Sequence, residues 1–344
     1  MKYLVCFMWN NLRANHAGFP HICRLLQEKF PSDYTVIMDY VRGKMSYMAN
    51  PFFNRCINYL DRRYHASVYH NAIKRMMDRL RDDDEVFLLE YLHKEANQIE
   101  LAKVIRETSP KVKIFGLAHL TPSAMENSFM QNEYAQWTQP IDAYLTLGSS
   151  LTTFLLDKTN HSVPVYTLFH PVDNAYFYPL EVEKKGVTVI ALGNLQRNYV
   201  LLEEVVKRMP NVKFVLCAGY SDFSSFKKYP NATVLGYMPE SELRLQLSKA
   251  DISLNVMDDT VGSNAITISM AMHLAMVVSD VGSIRDYCNE DNTFFCREVD
   301  DYVRAISFLS EDAVALDKYK SASAKRAGEL SVERFNELVN SISA

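Results

Sequence analysis

Four places in the chain carry residue types at spacings that can do chemistry. The first is the stretch 258–287, DDTVGSNAITISMAMHLAMVVSDVGSIRDY. Its residues 260–264 are turn chemistry, and they feed residues 265–274, a run of good helix formers with no Pro or Gly. A helix N-terminus presents unpaired N–H groups and the positive end of a dipole. Gly262, Ser263, Asn264 and Ala265 can therefore seat an anion such as a diphosphate; the same Gly and Asn would equally make a plain capped turn that binds nothing. The second place is Arg197, four residues past Gly193 in LGNLQRNYVLLEEV, in a turn that opens a helix. Its guanidinium either grips phosphate oxygens in bidentate fashion or is a solvated surface cation. The third is a pair of histidines that follow strands, His119 in GLAHLTPS and His16 in NNLRANHAGF, the latter with Asn11 and Arg13 beside it. Imidazoles so placed contact substrate or serve the structure. The fourth is the segment from Arg42 to Arg81, where nine Lys and Arg stand against two Asp with aromatic and Met residues interleaved. It reads as a peripheral contact with an anionic membrane surface or as a solvated helical face beside a core stripe. The acidic run Asp82 to Glu85 next to it reads as a solvated loop, and no metal is expected.

Elements able to position these groups follow from periodicity. In the first half, short apolar strands at 2–8, 34–38, 86–89, 112–115, 141–147 and 165–168 alternate with helical patterns at 21–30, 68–80, 97–106 and 149–156. Repeated alternation of this kind predicts a parallel, doubly wound sheet. Residues 171–186, PVDNAYFYPLEVEKKG, break the pattern with two prolines and a charged patch, as a linker does. A second series follows, with strands at 187–192, 213–218, 233–235, 252–256, 275–278 and 293–296 and helices at 199–208 and 240–249. The expected organisation is an N-terminal Rossmann-like domain over 1–170, a linker over 171–186, a second such domain over 187–330 and a C-terminal helix over 331–344 that crosses back. Gly193, Gly219, Gly236, Gly262 and Gly282 all follow strands of the second series, at the sheet edge where α/β proteins bind ligands.

The whole chain agrees with this class. Its 344 residues exceed the usual single domain, and 48% hydrophobic content with a net charge of -4 fits a globular protein with no nucleic-acid partner. Six scattered cysteines without a C-x-x-C pair predict reduced thiols and a cytoplasmic setting. No apolar stretch reaches the length of a membrane span.

Four segments resemble the GT-B glycosyltransferases, specifically the retaining family 4 (glycosyl transferases group 1). They are FHPVDNAYFYP at the domain junction, LGNLQRNYVLLEEV, YPNATVLGYMPESELRLQLSKADISLNV and SNAITISMAMHLAMVVSDVGSIRDY. The resemblance implies two doubly wound domains facing a cleft. It implies transfer of a sugar, hexosyl-like, from a nucleoside diphosphate sugar, UDP rather than GDP, to a saccharide or lipid-linked acceptor in surface glycan synthesis, without a metal cofactor and with the chain at the inner face of the membrane. On this resemblance Arg197 and His119 are the catalytic candidates. Gly193, Asn194, Asp258, Asp259, Gly262, Ser263, Asn264, Ala265 and Ser269 would bind the donor, and His16, Asn11 and Arg13 would lie on the acceptor side. Two positions depart from the family pattern: its signature glutamates, one of which holds the nucleotide ribose, fall on Thr260 and Ile268. Asp258, Asp259 or Ser269 would have to substitute, and the alternative is a non-catalytic GT-B partner or scaffold of another transferase.

Overall fold

A computed structural model describes residues 1–9, 15–41, 51–93, 96–193, 195–219 and 221–343. The chain forms two compact units. One comprises Met1–Thr146, Thr152–Thr167 and Val339–Ala344, the other Leu147–Leu151 and Leu168–Leu338.

The first unit carries β1 (Lys2–Trp9), α1 (Phe19–Lys29), β2 (Tyr34–Val41), α2 (Pro51–Met77), β3 (Glu85–Leu88) and α3 (Gln98–Thr108). It continues with β4 (Lys113–Ala118), α4 (Pro122–Ser128), α5 (Gln131–Thr138), β5 (Ala143–Thr146), α6 (Ser149–Lys158, of which the part from Thr152 onward belongs to this unit) and β6 (Val165–Thr167). All strand pairings are parallel, in the order β2-β1-β3-β4-β5-β6. A parallel strand is covered on both faces, which is why residues 86–88 of β3 and 143–145 of β5 are apolar and both strands are buried along their whole length.

The second unit carries β7 (Thr188–Leu192), α7 (Tyr199–Arg208), β8 (Lys213–Gly219), β9 (Ala232–Gly236), α8 (Glu240–Lys249), β10 (Ile252–Asn255) and α9 (Asn264–Ala271). Then come β11 (Ala275–Ser279), α10 (Ile284–Tyr287), β12 (Thr293–Cys296), α11 (Val299–Glu311), α12 (Ala313–Glu329) and α13 (Val332–Ser343, of which the part up to Leu338 belongs to this unit). The order β12-β11-β10-β7-β8-β9 is again parallel throughout. Its core joins Val189, Leu216, Leu254 and Val277 of the sheet to Val205 on α7 and Tyr302 and Ile306 on α11. The alternation read from the sequence is thus present as two doubly wound sheets.

Several bounds differ. The helix expected over 68–80 spans 51–77, because its first four turns carry exposed aromatic residues that blur a one-faced pattern. α4, α5, α11 and α12 went unread. The last of these opens at Asp312, whose carboxylate accepts the N–H groups of Val314 and Ala315, a signal that was present in the sequence.

Leu216 is 0% exposed at the centre of the second core. Leu216→Ala is expected to cost about 2–5 kcal/mol, whereas Val314→Ala, at a position 82% exposed, should change stability by less than about 0.5 kcal/mol; denaturant titration of both variants checks the contrast.

Candidate functional site

The second sheet reverses its direction of growth between β7 and β10. Strands β8 and β9 extend it on one side of β7, and β10, β11 and β12 on the other. The loops leaving β7 and β10 are therefore neighbours at the carboxyl ends of the strands, the edge where parallel sheets bind ligands at such a switch point.

Backbone bonds stitch those two loops together. Arg197 and Met257 form an antiparallel bridge, the Asp258 N–H donates to the Gln196 carbonyl at 3.0 Å, and the Asn198 N–H donates to that of Val256 at 3.2 Å. Asn198 adds its side chain, donating from Nδ2 to Asp258 Oδ1 at 2.8 Å while Oδ1 accepts the Leu201 N–H and caps α7. Gly193 has φ +95°, and a Cβ there would collide with Arg197 Nη2. A glycine is what lets the guanidinium fold back over the end of β7.

Arg197 is held without a protein partner. Its Nε and Nη1 are buried and make no hydrogen bond, and loss of water pulls its pKa down to about 10, which still leaves it cationic at neutral pH. Asn255 Oδ1, Ser263 Oγ and Asn264 Oδ1 are likewise buried and unpaired. No side chain caps α9, whereas Thr121, Asn198 and Asp312 cap α4, α7 and α12. Buried polar groups are normally satisfied, so Arg197, Ser263 and Asn264 on one sheet edge mark a place for a bound group, while Asn255 donates from Nδ2 to Ser253 Oγ in the same buried network as Ser269. Guanidinium donors, a hydroxyl and the positive end of a helix suit an anion.

A tyrosine shapes the turn before α9. Gly262 has φ +94°, and a Cβ would fall inside the Tyr287 ring. The Tyr287 hydroxyl accepts the His170 N–H at 2.8 Å and donates to the Leu147 carbonyl. Thr260 Oγ1 accepts the Gly262 N–H, the Thr260 carbonyl accepts the Ser283 N–H at 2.7 Å, and Ser283 Oγ bonds Ser150. Tyr287 and Asn255 were not assigned roles from the sequence. Tyr287 stands in the DVGSIRDY motif, which was its signal; nothing marked Asn255.

Of the expected donor-side residues, Gly193, Gly262, Ser263, Asn264 and Ala265 stand on this edge. Asp258 is exposed and Asp259 half-buried, the latter accepting the Thr260 N–H. Arg197, Asn198, Glu204 and Asp258 line an open groove of about 760 Å³. Ser269 does not belong to the site: it is 0% exposed, donates to the Ala265 carbonyl and accepts from Ser253, because its turn of α9 faces the core. It cannot replace a ribose-holding carboxylate. Ile268 and Thr260 are each 4% exposed. Asn194, Asn11 and Arg13 lie outside the described residues.

In the first unit His119 follows β4. Its Nε2 donates to the Leu89 carbonyl at 2.5 Å, Glu90 stands 3.8 Å away, and Phe19 meets the ring edge-on. That bond puts the proton on Nε2 and makes Nδ1 the acceptor. The imidazole borders a cavity of about 520 Å³ with Glu90, His93, Asn127, Ser128 and Phe129. His16 lies between β1 and α1, its ring 4.6 Å from that of His21. Among the described residues no group of three or more His, Cys, Asp or Glu is placed to hold a metal.

Residues 186–312 match the family model described as Glycosyl transferases group 1. Among solved structures, the sucrose-phosphate synthase of Thermosynechococcus elongatus superposes with a TM-score of 0.71 at 12% identity, covering 99% of this chain and 98% of that one. HepE of Anabaena, solved with UDP, superposes with a TM-score of 0.68 at 11% identity over 99% of each chain. A glycosyltransferase of Rickettsia africae gives a TM-score of 0.68 at 12% identity over 99% of this chain and 97% of its own. No curated protein sequence matches. Identities this low speak for the fold, and the reversal of strand order in the second sheet agrees with them. The chain has the GT-B fold, and its residues 186–312 are similar to the glycosyl transferases group 1.

Proposed function

We propose that the protein is a retaining glycosyltransferase that moves a sugar from a nucleoside diphosphate sugar, UDP rather than GDP, to a saccharide or lipid-linked acceptor. The observation that carries this reading is the buried, unpartnered guanidinium of Arg197 at the switch point of the second sheet. In such a transfer the bond between the anomeric carbon and the diphosphate oxygen breaks, a bond to the acceptor oxygen forms, and the acceptor proton leaves with the diphosphate or to solvent. Negative charge grows on the diphosphate as that happens, and fixed donors in a site shielded from water stabilise it most. Arg197 and the opening turn of α9 supply such donors, and a guanidinium does here what a bound cation does elsewhere. His119, with Nδ1 left as an acceptor, takes a hydrogen bond from a sugar hydroxyl. The UDP bound to HepE supports uridine over guanosine, and a role in surface polysaccharide synthesis fits a lipid-linked acceptor.

One observation favours a second reading, a non-catalytic partner of another transferase. Thr260 and Ile268, where the resembling motif carries glutamates, are both buried, and the Thr260 hydroxyl is spent on Gly262. Purified protein assayed with a panel of nucleotide sugars separates the two. The catalytic reading expects UDP to raise the thermal midpoint more than GDP does, with transfer or slow donor hydrolysis unaffected by EDTA. UDP binding without turnover of any sugar would favour the partner, and no response to any nucleotide would sink both.

Arg197→Ala should weaken UDP by about 10- to 150-fold, the worth of about 1.5–3 kcal/mol for hydrogen bonds to a charged group, as read by calorimetry. Its midpoint without ligand should stay level or rise, since an unpaired buried charge is removed. A purely structural arginine would lower it. Gly262→Ala forces a side chain into the left-handed region, at roughly 1–2 kcal/mol, and against the Tyr287 ring; it should lower the midpoint and the UDP affinity together.

A further inference from the structure

Helix α2 is apolar on two faces, and only one of them is covered. On a wheel of about 100° per residue, Ile57, His65, Tyr69, Ala72 and Met76 fall on an inner arc that packs on β2. The opposite arc of its first four turns carries Phe52, Phe53, Tyr59, Leu60 and Tyr64, each between 55% and 70% exposed. Solvent-facing positions seldom gather so much aromatic surface unless something covers it.

Charge identifies the occupant. Arg55, Arg62, Arg63, Lys74 and Arg75 are all exposed, and Arg63 donates to the Tyr59 hydroxyl at 3.1 Å and lies over its ring. The one acid of the helix, Asp61, is on the inner arc, 3.6 Å from His65. A second copy of this face would set cations against cations, which disfavours self-pairing. An anionic lipid surface offers phosphates to the arginines and an acyl boundary to the rings. No helix among the described residues is long and apolar enough to cross a membrane, so the contact would lie along the surface.

We propose that the outward face of α2 docks on an anionic bilayer, with Phe52, Phe53, Leu60 and Tyr64 at the headgroup boundary and Arg55, Arg62 and Arg63 on lipid phosphates. Nothing in this assignment depends on Arg197 or on sugar transfer. The test is flotation of the full chain with vesicles of phosphatidylcholine alone and of phosphatidylcholine mixed with phosphatidylglycerol. Binding should be at least about tenfold stronger to the anionic vesicles and should fall as salt is raised. Combined Phe52→Ser, Phe53→Ser and Tyr64→Ser should cost about tenfold or more, and Arg55→Glu with Arg62→Glu more than about fivefold for each cation removed. Unchanged circular dichroism and an unchanged response to UDP would show that the variants fold. Failure of the wild type to float with anionic vesicles overturns the proposal, as does equal binding by the folded variants. A concentration-dependent dimer in sedimentation that the serine variant abolishes, without flotation, would assign the face to a second copy. A chain that floats yet ignores UDP upholds this contact and counts against the donor site alone.

Discussion

Taking a guanidinium out of water without a counter-ion costs several kcal/mol, and the chain around Arg197 is built to hold it there. Gly193 clears the space the side chain folds into, the backbone bridge to Met257 fixes the loop that carries it, and Asn198 ties that loop to Asp258 while capping the helix that follows. None of these contacts neutralises the charge. They supply rigidity in advance, so that little reorganisation remains when an anion arrives. The strand reversal between β7 and β10 is what brings the two loops close enough to be bonded at all.

The two units prepare their polar groups in different ways. At the second unit's edge, buried donors are left open. In the first, His119 is already engaged, and the Leu89 carbonyl selects which nitrogen keeps a proton. One arrangement stores charge, and the other stores an orientation. His170, just before the segment 171–186, is fastened through its N–H by the Tyr287 hydroxyl, so the turn carrying Gly262 and this early stretch of the second unit share one aromatic side chain as their support.

The fold was legible because buried parallel strands leave short apolar runs between glycines and helical patterns, and little else produces that alternation. Arg197 and the Gly262 turn were legible for a related reason: local chemistry at strand ends is written in sequence order. What was hidden depended on facing. Ser269 looks polar and available in one dimension, yet its turn of α9 points inward, where Ser253 meets it. The first half of α2 carries its apolar residues on opposite sides, so a single-face periodicity could not register it. Asn255, buried at the end of β10 with an open carbonyl oxygen, gave no signal, since an asparagine after a strand ordinarily means a turn.

The buried isoleucine at position 268 limits what one substitution can install. Its side chain sits in packed surroundings, 4% exposed. A carboxylate placed there would strand an ion in apolar contacts. Several neighbours would have to change before such an acid was tolerated. Redesign of this edge therefore has to start from its exposed loops, where a new charge keeps its water.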